Sequence, residues 1–93
     1  MSEPSRTPDN LPVSFASFLV SLGSSALVHL GEIPDPGTGR HDRDLMLARH
    51  SIEVLGLLQE KTKGNLDDDE RQLLEALLFE LRTKYLAASS SPT

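Results

Sequence analysis

Residues 10–31 read NLPVSFASFLVSLGSSALVHLG and contain no Asp, Glu, Lys or Arg, in a chain of which 25% is charged. Phe15, Phe18, Leu19, Val20, Leu22, Leu27, Val28 and Leu30 give this stretch more apolar surface than a solvated helix leaves in water, so the fold must shelter it. At about 100° per residue, Ser14, Ser17, Ser21, Ser24 and Ser25 fall in one stripe and Phe15, Leu19, Leu22, Ala26 and Leu30 lie opposite. The spacing predicts a helix over about 14–31, capped by Ser14 just after Pro12 and stopped near Gly31, since Pro34 cannot continue it. Ser17, Ser21 and Ser25, four apart, would let another helix backbone approach closely.

Outward from this helix, GEIPDPGTGR (31–40) holds two prolines and three glycines and reads as a stiff non-helical link. A second helix follows over about 42–63, with Leu45, Leu47, Ala48, Ile52, Val54, Leu55 and Leu58 apolar and Asp42, Arg49, Glu53 and Glu60 solvated. Gly64 supplies its positive-φ stop, after Lys61 and Lys63. Asp67-Asp68-Asp69-Glu70 then offers an N-cap acid, a reciprocal acceptor three residues on, and negative charge at the start of a third helix over about 67–88. That helix buries Leu73, Leu74, Leu77, Leu78, Leu81 and Tyr85 and leaves Phe79 and Leu86 as surplus apolar surface. The short Gly64-Asn65-Leu66 link makes helices two and three an antiparallel hairpin. The fold class is all-α: one helical domain over 13–88 between a Pro-rich lead (1–12) and a Ser-rich tail (89–93), both expected to be disordered.

Composition narrows the function. A chain of 93 residues supports one small domain whose core is marginal alone, and with no cysteine it has neither disulfides nor thiolate metal sites to help. A net charge of -5, with nine scattered Lys and Arg, opposes nucleic-acid binding. The N-terminal MSEPSRTPDN lacks the basic start of a secretory signal, which points to the cytoplasm.

Candidate chemistry does not assemble. His29 lies four residues after Ser25, but no acid is placed to orient it, and it reads as the end of helix one bonding a carbonyl or serine. His50, Glu53 and His41 are too dispersed for a metal site, and the Asp67–Glu70 run lacks the alternating oxygens of a calcium loop. Gly37-Thr38-Gly39-Arg40 follows no strand and reads as a turn rather than a phosphate cradle. The sequence thus yields no catalytic, cofactor-binding or metal-binding residue and no required cofactor, and the expectation is a protein that is not an enzyme.

LPVSFASFLVSLGSSALVHLGEIPDP and SIEVLGLLQEKTKGNLDDDERQLLEALLFELRTKYL, with His29-Leu30-Gly31, Pro34-Asp35-Pro36 and the run Leu55 to Leu66, resemble a small bacterial family known as domain of unknown function 1844. The resemblance spans most of residues 11–86. It implies an all-helical cytoplasmic protein and brings no catalytic residue with it. The stretch Gly37 to Asp44 departs from the family pattern in length and charge.

Three covers are open to the uncharged helix: a second copy of the chain, a membrane, or the hairpin alone. Five serines, one histidine, flanking charges that are both acidic (Asp9 and Glu32) and a length short of about 20 residues stand against a bilayer span. The hairpin covers such a cylinder only in part. The expectation is a homo-oligomer, a dimer, that also binds an unidentified protein partner, with contacts at Phe15, Phe18, Ser21, Leu22, Ser25, Phe79 and Leu86. The alternative is a membrane-associated accessory protein with helix one in or on the bilayer.

Overall fold

The computed structural model describes residues 13–90, which form three helices and no strand: α1 (Phe15–His29), α2 (Leu45–Lys61) and α3 (Asp68–Ser89). Each start is set by a side chain that satisfies orphan backbone N–H groups. Ser14 Oγ accepts from Ser17 N at 3.0 Å while Ser17 Oγ accepts from Ser14 N at 3.2 Å, a reciprocal box built from two serines. Asp67 and Glu70 make the same arrangement at α3, at 2.8 and 3.0 Å.

The boundaries differ from expectation by a few residues. Helix α2 begins at Leu45 rather than Asp42, because Asp44 is the residue whose carboxylate accepts from Leu47 N, at 3.1 Å. The backbone N–H of Asp44 is taken by His29 O at 2.7 Å, which holds the chain extended up to that point. Helix α1 stops at His29, where Glu32 N bonds Leu27 O and Gly31 N bonds Val28 O, the two closures of a Schellman motif. Gly31 is required there: its φ is +79°. Helix α2 ends at Lys61, before Gly64 at φ +87°, and α3 takes in Ser89, which the sequence assigned to the tail. The hydroxyls of Ser89 and Ser90 both bond Leu86 O, so the last turn's carbonyl has partners where the sequence offered only a serine run. The lead at 1–12 and residues 91–93 lie outside the described residues.

The core takes three residues from each segment: Leu19, Ala26 and Leu30; Ala48, Ile52 and Leu55; Leu74, Leu78 and Leu81. Phe15, Leu22, Leu45, Leu58, Leu77 and Tyr85 pack around it, and among the described residues no polar side chain is buried. Leu47, counted with the apolar arc of α2, stands exposed. Close helix approach occurs at buried Gly23, whose missing Cβ would lie 3.1 Å from Leu77 on α3, whereas Ser21, Ser24 and Ser25 face solvent. Within one chain, then, the serine stripe is not the contact that admits a neighbouring backbone.

Arg49, Ile52 and Glu53 near the start of α2 share a cleft with Arg82, Tyr85 and Leu86 near the end of α3. The 31–44 link folds back on the end of α1. Asp35 caps its own turn by accepting from Gly37 N and Gly39 N, His41 Nδ1 meets Gly31 O at 3.2 Å, and Lys84 on α3 reaches Glu32 at 3.5 Å.

Candidate functional site

The three-helix core shelters one side of α1 and leaves the other uncovered. Leu19 and Ala26 are fully buried, yet Phe18 keeps 48% of its surface exposed and Val20 stands in solvent beside the serines. The sequence-derived contact residues therefore divide. Phe15 and Leu22 are half-buried against the core, with the Phe15 ring 6.4 Å from that of Phe18. Phe18, Ser21 and Ser25 are open to solvent on α1, and Phe79 and Leu86, at 75% and 66% exposure, are open on α3.

Phe79 and Leu86 belong to a stripe that the sequence pattern did not single out. Glu75, Phe79, Arg82 and Leu86 recur at steps of four, three and four along α3 and are all exposed. The Arg82 guanidinium lies over α2 at Gly56, where Nη2 stands 3.3 Å from the position a Cβ would take. It has no carboxylate partner among the described residues. Arg71, by contrast, is shared between Glu75 and Asp68 at 3.3 and 3.5 Å, and Arg49 is bonded to Glu53 at 3.1 Å. Both guanidiniums are pushed further up in pKa, first by the carboxylate hydrogen bond, from Glu75 and Glu53 respectively. Met46 and Leu57 on the outer side of α2 are further exposed apolar side chains that sequence reasoning missed. Each lies within an apolar run, Met46 between Leu45 and Leu47 and Leu57 beside Leu58, and so does not stand out from the buried arc by composition.

Among the described residues no histidine is hydrogen-bonded or ion-paired to an acidic side chain. His29 ends α1 half-buried, and its ring has no hydrogen-bond partner among the described residues, so the expected bond to a carbonyl or to Ser25 is absent; its backbone carbonyl accepts from Asp44 N–H. His41 bonds the backbone of Gly31, and His50 projects from the exposed side of α2. Among the described residues no three His, Asp or Glu side chains are grouped to hold a metal ion. A cleft of about 330 Å³ where α2 turns into α3 is lined by residues including Lys63, Leu66, Arg71 and Glu75, a mixed lining that selects no one charge.

No helix among the described residues is long and apolar enough to cross a membrane. The 15 residues of α1 reach about 22 Å at the usual helical rise, against a hydrocarbon core of about 30 Å.

A three-helix all-α domain with nonpolar side chains open on each of its helices is the class of protein these features define. The chain belongs to the family described as domain of unknown function (DUF1844), whose model matches residues 12–87. No curated protein and no solved structure matches the chain.

Proposed function

We infer that the protein is a non-enzymatic helical interaction module of the cytoplasm, whose copies associate through the uncharged first helix and whose assembly scaffolds another protein. The observation that carries this reading is Phe18, 48% exposed on a helix without a single Asp, Glu, Lys or Arg. Removing the open half of a phenylalanine from water contributes roughly 1 kcal/mol per copy, and Val20 beside the serine face adds to it. The exposed Ser21 and Ser25 present small side chains across which a second α1 can pack closely. A homodimer uses each such contact twice, because the same patch serves on both copies.

A bilayer surface is the weaker partner for this face. Helices that lie on membranes carry Lys or Arg along their polar side, whereas the polar side of α1 is serine and the chain bears a net charge of -5. The test is light scattering of Phe18→Asp beside the parent chain, with flotation on anionic lipid vesicles in parallel. The expected result is a lower mass for the variant and no flotation of either. An unchanged mass, or flotation of the parent chain that Phe18→Asp abolishes, would refute the reading.

A further inference from the structure

The outer stripe of α3 is self-complementary. Arg82 stands between Phe79 and Leu86 and forms no ion pair among the described residues, although Glu53 lines the same cleft, while Glu75 on the same stripe is held only by Arg71, which keeps Asp68 as a second partner. Glu75 can therefore change partners and leave Arg71 compensated. An antiparallel register that faces residue 75 with residue 82 brings Phe79 within one residue, about 1.5 Å along the axis, of its own symmetry mate. The same register sets Leu86 against the aliphatic stem of Arg71.

We propose that α3 forms a second junction between copies of this chain, in which two α3 helices cross a twofold axis at Phe79 with Glu75 of each copy paired to Arg82 of the other. The occupant is another copy because the stripe already contains both halves of the match, charge for charge and apolar for apolar, in an order that a twofold axis reverses onto itself. A membrane does not offer this pairing, since the stripe carries one charge of each sign. Buried aromatic surface supplies the affinity, and the two ion pairs fix the register. This junction is distinct from the one proposed at α1. Used together on perpendicular, intersecting axes, two unlike twofold junctions close four copies into a tetramer, and either alone gives a dimer.

The experiment is light scattering on the full chain carrying Glu75→Arg, Arg82→Glu, or both. Each single variant halves the mass of the assembly, and the double variant, in which the charges are exchanged, restores it. Circular dichroism checks folding, which exposed substitutions leave intact. The absence of cysteine allows a second readout: Phe79→Cys, placed on the axis, oxidises to a covalent dimer, and Asp69→Cys, away from the axis, does not. If the charge variants keep the parent mass while Phe18→Asp lowers it, the α3 junction is refuted and the α1 reading stands. If Phe18→Asp leaves a species of twice the 10.2 kDa chain mass that Glu75→Arg then splits, the α3 junction holds on its own. A parent chain that is monomeric throughout overturns both.

Discussion

Leu77 Cδ2 on α3 stands 3.1 Å from the point where a Cβ on Gly23 would sit, so α1 meets α3 there through a leucine laid on a glycine. The absent side chain at 23 is what lets the uncharged helix sink its Leu19 and Ala26 edge into the core. Gly23→Leu should destabilise the chain by about 1–3 kcal/mol through overpacking, as read by urea unfolding. Gly23→Ala should lie within about 0.5 kcal/mol of the parent, because the helix-propensity gain of roughly 0.5–1 kcal/mol is spent on displacing Leu77. Combining Gly23→Leu with Leu77→Ala should cost less than the sum of the two changes. Strict additivity would mean that the two residues do not meet.

At the other end of α1, Gly31 closes the Schellman motif at φ +79°. Its Cβ position lies 3.5 Å from Arg43 Cβ, an ordinary contact, so the cost of a side chain there is conformational rather than steric. Gly31→Ala should lower stability by about 1 kcal/mol in thermal or urea unfolding, with assembly mass unchanged. A neutral result would contradict the left-handed conformation.

The Asp67–Glu70 box starts α3 and anchors the turn from α2. Asp67→Ala should cost about 1 kcal/mol, within a usual range of roughly 0.5–2, while Asp67→Asn keeps an acceptor and should lose less. Equal losses for the two would show that charge, not the hydrogen bond, sets the helix start.

Much of this architecture is legible in the sequence because helices announce themselves through local spacing. The 3.6-residue period places Leu19, Ala26 and Leu30 opposite the serines, and those residues are buried. The Asp67 and Glu70 cap is legible for the same local reason. The start of α2 is less so: the expected start near Asp42 moves to Leu45, set by the cap of Asp44 on Leu47 N–H and by a long-range bond of Asp44 N–H to His29 O that no window of sequence contains. The attachments of the link, His41 to Gly31 and Glu32 to Lys84, are hidden likewise. Gly23 left a usable signal, since a glycine inside an apolar helix implies a packing reason. Of the candidate surface, Phe79 and Leu86 were legible as residues outside the main stripe. The solitary Arg82 between them was not, because its lack of a partner is a property of the folded chain.

Phe18 marks the open flank of α1, and a charge there should act on assembly and not on folding. Phe18→Asp should keep the helical circular dichroism of the parent chain and lower its mass in solution. Loss of helix together with mass would instead place Phe18 among the residues that hold the single chain together.

The most direct test of self-association is the light-scattering mass of the purified parent chain in detergent-free buffer over a range of concentrations. The expected result is a stable species at an integral multiple of 10.2 kDa, two copies or four. A mass of one chain at every concentration would contradict it.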